Sequence, residues 1–325
     1  MTRRTEDRPV LPCRSATAIA RIAGMVGTTM SRGALVVFLI LLSSTAPARA
    51  SSLNDYFGPR EIAVGETLRA NSPGGQATTL NPAGLALTRQ LVFEGSYGYR
   101  PDDSASTVAA SACDSTVPVP GCFYYHYFTA APEIDGTDYS RRVHEFGIAA
   151  ARAITKRIAF GINVRYFNYK SDAPGEEDSS GFAADGGLVL RASDAIQVAV
   201  VGYNLIAADS TQYPRGIGAG LALRPVPALG IGVDGVWDLD APEGTGTGRY
   251  GGGLEYFFQS GDRQTGYPIR VGTVYDNELD STYITGGLGL NTPKIGIDVG
   301  ARKQVDGGDE LIILGSLRLF GPNLP

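Results

Sequence analysis

From Leu91 to Phe320 the chain falls into segments of about ten residues, in which apolar positions alternate with polar or small ones and turn residues separate the segments. In LVFEGSYGYR, Leu91, Phe93, Tyr97 and Tyr99 share one face, and Glu94, Ser96 and Arg100 the other. In IAFGINVRYFNY, Ile158, Phe160, Ile162, Val164 and Tyr166 oppose Gly161, Asn163 and Arg165. RYGGGLEYFF sets Tyr250, Leu254, Tyr256 and Phe258 against Arg249 and Glu255, and KIGIDVGAR sets Ile295, Ile297 and Val299 against Asp298 and Arg302. A repeat of two is that of a β-strand, whose successive side chains point to opposite faces. The pattern predicts twelve strands, near 91–100, 142–152, 158–169, 181–191, 196–206, 215–224, 228–238, 248–258, 267–276, 281–291, 294–303 and 310–320. CFYYHYFTA, Cys122 to Ala130, also reads as strand and extends a hairpin if it pairs.

The connections differ in character. Ala153–Arg157, Ala192–Ala195, Pro225–Pro227 and Thr292–Pro293 are short; Pro101–Arg141, Lys170–Ser180, Ala207–Tyr213 and Leu239–Gly248 are long, and acidic or glycine-rich. Short turns on one side and long loops on the other are the mark of an outer-membrane barrel, and an even strand count puts both chain ends on the short-turn, periplasmic side. A soluble β-sandwich also alternates. Its strands usually run about five or six residues, and its solvent faces carry more Lys, Glu, Thr and Ser than the glycines and isolated charges found here. The expected fold is therefore all-β: an antiparallel transmembrane barrel of about 12 strands (12–14) over residues 91–325, preceded by a plug segment over 51–90.

Ahead of these strands, MSRGALVVFLILLSSTAPARA has a positive charge at Arg32, an apolar run from Ala34 to Leu42 and an Ala48-Arg49-Ala50 end. That is the pattern of a secretory signal peptide. Residues 1–50 are expected to be removed, with Met30 as an alternative true start. The run is about half the roughly 20 residues that span a bilayer as a helix. Of the 3 cysteines in the chain, Cys113 and Cys122 survive this cleavage, and in an exported chain they are expected to form a disulfide closing a loop outside the barrel. The net charge of -5, with no basic cluster, argues against a nucleic-acid partner. No metal-ligand spacing appears, and no cofactor is expected.

Residues 51–90 do not alternate. They read as a loop, a short helix near 60–70, a Gly-Pro loop and then Asn81-Pro82-Ala83-Gly84, a good helix start with an N-cap and proline at N1. Glycines on the polar faces, among them Gly187, Gly218, Gly220, Gly251 and Gly253, leave room for such a segment inside the barrel. The run GPREIAVGETLRA, a small-residue loop, and LNPAGLA directly before the first strand together resemble the long-chain fatty acid transporter (FadL-like) family of outer-membrane barrels. Relatives of that family include the PorV-type barrels that serve a Bacteroidetes secretion system. The resemblance implies a hatch inside a barrel of about fourteen strands, with Asn81, Pro82, Ala83 and Gly84 as hatch residues. It also implies movement of hydrophobic molecules toward the periplasm. The specific match covers about 40 residues, and this chain is shorter than the family.

By alternation the lumen carries Glu94, Glu145, Arg165, Asp185, Asp234, Glu255, Arg270, Asp298 and Arg318. Acids and bases of this kind are expected to pair with each other and with the plug. Nucleophilic catalysis needs a histidine positioned as base. His126, among loop aromatics, and His144 have no serine motif nearby, so both read as satisfied surface histidines and no enzyme is expected. The aromatics from Phe123 to Phe128 suit either a strand reaching an aromatic girdle or capture of an apolar ligand. Glu176–Asp178 and Asp276–Asp280 read as solvated loop charge or as ion bridges to lipopolysaccharide. The last strand ends on Phe320, as barrel assembly signals do, although Arg318 interrupts it. The expected partners are outer-membrane lipid and lipopolysaccharide, a hydrophobic small molecule, or a secretion partner protein. The expected function is a passive outer-membrane channel for a small hydrophobic molecule. The alternative is a non-transporting scaffold for secretion or surface attachment. A bulged strand favours transport, and a sealed wall the scaffold.

Overall fold

The computed structural model describes residues 57–134, 136–207, 212–241, 248–261 and 265–321. The expected leader over 1–50, with Met30, and residues 51–56 lie outside these. Strands β1 (Leu91–Arg100), β2 (Ala105–Asp114) and β3 (Gly121–Ala130) are followed by a small separate hairpin, β4 (Glu133–Ile134) and β5 (Thr137–Asp138). Then come β6 (Arg141–Ala153), β7 (Ile158–Ser171), β8 (Ser179–Arg191), β9 (Ile196–Ala207), β10 (Gly216–Val226) and β11 (Leu229–Asp238). The last five are β12 (Gly248–Gln259), β13 (Gly266–Asp276), β14 (Ser281–Asn291), β15 (Ile295–Asp306) and β16 (Leu311–Phe320). Without the small hairpin, each strand pairs antiparallel with its sequence neighbours, and β1 meets β16 from Val92↔Phe320 to Tyr99↔Ile313 to close a barrel of fourteen strands.

All twelve enumerated segments are barrel strands. The two further ones, β2 and β3, lie within Pro101–Arg141, which had read as a long loop apart from the strand-like Cys122 to Ala130 that proves to be β3. ASTVAASACD hides β2 because Val108 is its only large apolar residue, so size does not alternate even though orientation does. The long-loop end also has tight turns, at 101–104, 277–280 and 307–310.

The polarity is inside out relative to a water-soluble protein. Phe93, Tyr97, Phe146, Ile162, Phe182 and Leu288 are exposed on the outer wall, while Arg165, Asp185, Arg270 and Asp298 are buried within. So broad an apolar exterior is stable only against lipid. It excludes the soluble sandwich.

Residues 57–90 lie inside. They form helix α1 (Pro59–Ala63) and two 3-10 helices, Gly74–Thr78 and Pro82–Leu87. The helix expected near 60–70 stops after little more than one turn, because Gly65 and Glu66 both adopt positive φ, 66° and 63°. Phe57, Ile62, Val64, Leu68 and Leu80 pack on Ile312 and Leu314 of β16. Burying each large apolar side chain contributes about 1.5–3 kcal/mol gross. On the opposite wall the contacts are small: Ala70 and Ala83 meet Ala159, Val189 and Ala199.

Candidate functional site

Where the inner segment touches the wall, the local geometry starts at Asn81. Its backbone is extended (φ −165°, ψ 110°), and Pro82 stands at the first helical position. The Asn81 Oδ1 accepts from the Ala83 N–H at 3.1 Å, and its Nδ2 donates to the Arg69 carbonyl at 3.0 Å and the Leu188 carbonyl at 3.4 Å. Asn81 thus caps the helix, holds the segment's own loop and touches β8. Gly84 lies against Ser72, and Pro82 and Ala83 against Gly161 of β7. All five polar-face glycines noted in the sequence meet the segment: Gly187 at Asn81, Gly218 and Gly220 at Arg69, Gly251 at Gly65 and Gly253 at Val64. At Gly251 the two backbones approach so closely that a Cβ would overlap the Gly65 carbonyl oxygen.

Around this contact the charges form a network. Arg60 donates to both oxygens of Glu255, at 3.0 Å each, and to Gln76 Oε1 at 2.9 Å. Glu66 accepts from Arg249, 2.8 Å to each oxygen, and from Arg302 at 2.9 Å. The backbone N–H of Arg69 donates to Asp234 at 2.8 Å, and its Nε to the Tyr203 hydroxyl at the same distance. Wall groups also reach segment carbonyls: Tyr203 to Leu80 at 2.6 Å, Asn163 to Thr78 at 3.0 Å and Thr285 to Ala63 at 3.1 Å. Burial costs these ions several kcal/mol each in hydration, so they set a unique position more than they add net stability.

All nine charges assigned to the lumen by alternation point inward. The structure gathers seven of them into two groups and leaves Asp234 and Glu94 apart. Arg165 bonds Asp185 and lies 3.5 Å from Glu145. Arg270 joins Glu255 and Asp298, at 2.6 Å each, and Arg318 bonds Asp298 as well. Asp234 stands apart with Arg69. Glu94 lines a small polar cavity with Glu61, Gln76 and His126. Sequence reasoning missed Arg60, Glu66 and Arg69 as anchors, and Arg249 and Arg302 as their partners. Arg249 and Arg302 had been placed on the polar faces with Glu255 and Asp298, but were not counted among the lumen charges.

Several expectations are corrected. Cys113 and Cys122 are disulfide-bonded, but not in an outer loop. They sit directly opposite each other in the β2–β3 ladder near the short-turn end, buried against Ala77 and Leu85. His126 is on β3, 4% exposed and 3.2 Å from Glu145, so it is not a surface residue. His144 lies 2.9 Å from the Tyr125 hydroxyl. Glu176 is not free loop charge: it accepts from Arg141 and Ser171. Asp276 accepts from Arg249 and caps the N–H groups of Glu278 and Leu279.

The wall is interrupted in places. Between β8 and β9 the register jumps from Ala184↔Ile206 to Gly186↔Gly202, which leaves Tyr203–Leu205 as extra chain on β9. Asn204 takes a positive φ of 52° and turns inward, where its N–H donates to Asp185 at 2.8 Å and its amide to the Pro214 carbonyl at 2.7 Å. Tyr213 follows it in, stacked on Phe167 at 3.9 Å between ring centres and donating to Glu145 at 3.2 Å. Further shifts lie between Leu223 and Val226 and between Thr282 and Tyr283.

The fold is thus a closed antiparallel barrel of fourteen strands that holds the segment before its first strand inside it. In fold the chain is similar to the CymD monoaromatic hydrocarbon channel, with a TM-score of 0.58 and 12% identity, covering 80% of this chain and 97% of that one. It is similar likewise to the Pseudomonas putida toluene transporter TodX (TM-score 0.53, 12% identity, 81% and 97% covered). A Pseudomonas aeruginosa FadL homologue gives a TM-score of 0.55 at 9% identity, with 81% and 97% covered. No protein-family model matches the sequence, and no curated protein matches it.

Proposed function

We propose that this chain is a channel of the bacterial outer membrane that passively admits a small hydrophobic molecule, with residues 57–90 as its hatch. The observation that carries this reading is how the segment is held. It fills a lipid-facing barrel, yet it is attached by reversible ion pairs and hydrogen bonds at Arg60, Glu66, Arg69 and Asn81. The short-turn end is then periplasmic and the end bearing Tyr213 faces outward. The fold shared with channels for monoaromatic hydrocarbons supports a permeant about the size of one aromatic ring. The bulge in β9 supports transport over a sealed scaffold.

Expression in a Gram-negative host with an intact lipopolysaccharide leaflet tests the proposal. Initial uptake of radiolabelled toluene is expected to be several-fold faster than in cells carrying an empty vector. Equal rates at matched outer-membrane expression would sink it.

A further inference from the structure

Tyr213 lies outside every strand, in the connection from β9 to β10 at the long-loop end, yet its side chain is buried in the lumen, 1% exposed. The ring stacks on Phe167 at 3.9 Å between centres, and the Arg165 guanidinium lies 5.7 Å from its own centre. Its hydroxyl donates to Glu145 Oε2 at 3.2 Å, and Ala183 packs beside it. These wall groups have other partners. Glu145 also meets His126 at 3.2 Å and Arg165 at 3.5 Å, and Arg165 bonds Asp185. Asp185 accepts in turn from the Asn163 amide at 3.0 Å and the Asn204 N–H at 2.8 Å. The chain behind the ring is anchored separately, where the Asn204 amide donates to the Pro214 carbonyl at 2.7 Å. One ladder row nearer the long-loop end, Phe128, Val143 and Tyr169 continue the inner wall as a buried, largely apolar strip.

An aromatic plane, a cation beside the ring and a carboxylate at the hydroxyl are contacts that a free phenol makes equally well. Here a loop supplies the phenol, and the wall supplies the receptor for it. We infer that Phe167, Arg165 and Glu145 form a binding site for phenols, single aromatic rings carrying one hydroxyl, which Tyr213 occupies until an incoming ring displaces it. The inference rests on the channel reading and names a preferred substrate class for it. A carboxylate placed for a hydroxyl discriminates against the ring that lacks one, because its oxygen then loses a donor. The internal ring also sets the affinity. An external ring binds only the fraction of molecules in which Tyr213 has left, and its apparent affinity falls by that fraction.

Calorimetric titration of the full chain in lipid nanodiscs tests it, with p-cresol as probe, toluene as the ring without a hydroxyl and empty nanodiscs as the reference. The wild type is expected to bind p-cresol saturably, and Tyr213→Ala to bind it about tenfold more tightly or better, since the competitor is gone. Tyr213 belongs to no strand, so its truncation leaves the ladder whole. Tyr213→Phe keeps the stack and loses the bond to Glu145, so its affinity for p-cresol should fall between the two. In Tyr213→Ala, toluene should bind about fivefold more weakly than p-cresol or worse. Adding Phe167→Leu to Tyr213→Ala removes the stacking plane and should weaken p-cresol about threefold or more. Four outcomes overturn the inference: no saturable p-cresol binding by the wild type, equal affinity in the wild type and Tyr213→Ala, toluene binding as tightly as p-cresol, or no loss with Phe167→Leu. Toluene uptake by cells is read separately. If uptake persists while p-cresol fails to bind, only the phenol site falls; if uptake is absent while p-cresol binds, the channel reading falls.

Discussion

The Asn81 amide meets three backbone groups, and each sets a different link: a cap at Ala83, a loop closure at Arg69 and a wall contact at Leu188. Asn81→Ala removes all three, and loss of the cap alone costs about 1 kcal/mol. Asn81→Asp keeps the acceptor and loses both donors, so its melting temperature in detergent should fall between wild type and Asn81→Ala. Gly187→Ala places a Cβ onto Asn81 Oδ1, whereas Gly252→Ala meets nothing within 4 Å. Gly187→Ala should destabilise the inner segment and Gly252→Ala should not, as read by protease cleavage within residues 57–90. Glu61 adds a pH term. Among the described residues no hydrogen-bond partner meets its buried Oε2, and burial, then the nearby Glu94, pushes the carboxyl up to about 7. The folded state therefore binds the proton more tightly than the unfolded chain. This contribution is fully present below the unfolded value and is lost as pH rises through about 7. The slope is about 1.4 kcal/mol per pH unit at most between those limits. Glu61→Gln should flatten the fall in thermal stability from pH 5 to pH 8; an unchanged slope in that variant would remove Glu61 from the account.

At the scale of elements, what could be read in the sequence follows side-chain size. Strands with large outward residues, such as β7 with Phe160, Ile162, Val164 and Tyr166, are plain because lipid demands apolar side chains at every second position. The hairpin β2–β3 is half hidden, since alanines and serines on β2 satisfy lipid and lumen alike. The inward direction of the nine wall charges is legible for the same reason. Their partners are not, because Arg60, Glu66 and Arg69 belong to a segment without a period. Nor does local pattern signal the β9 bulge, which depends on Asn204 finding Asp185 on the neighbouring β8 and Pro214 just ahead of β10. The disulfide belongs to this scale too. Cys113 and Cys122 are separated by 9 positions and already face each other in a ladder. Closing so short a loop is worth about 2–3 kcal/mol through the entropy it removes from the unfolded chain. Cys113→Ser with Cys122→Ser should lower the midpoint of thermal unfolding yet leave strand content unchanged by circular dichroism. A loss of barrel signal at room temperature would mean that the bond is needed for assembly.

Over the whole molecule, the barrel and its contents have separate sources of stability. The strands satisfy one another through a closed ladder, so the backbone hydrogen bonds of that ladder survive without the inner segment. The segment depends on the wall, through an apolar contact at Ile312 and Leu314 and ionic contacts at Glu255, Asp234, Arg249 and Arg302. Deleting residues 57–80 removes Arg60, Glu66 and Arg69 together, and water entering the lumen can then solvate the wall charges they leave. A barrel that still assembles, with heat-modifiable migration intact, is the expected result. In a planar bilayer its conductance should rise from near zero to a steady open level. Glu66→Ala is the gentler version: Arg249 keeps Asp276 and Arg302 keeps Glu310, but the carboxylate shared between the two guanidinium groups is lost. It should therefore produce intermittent openings, fewer at high salt, where screening eases the repulsion. If the intact protein already conducts steadily and neither change alters the current, residues 57–90 do not close the barrel, and the hatch role has to be given up.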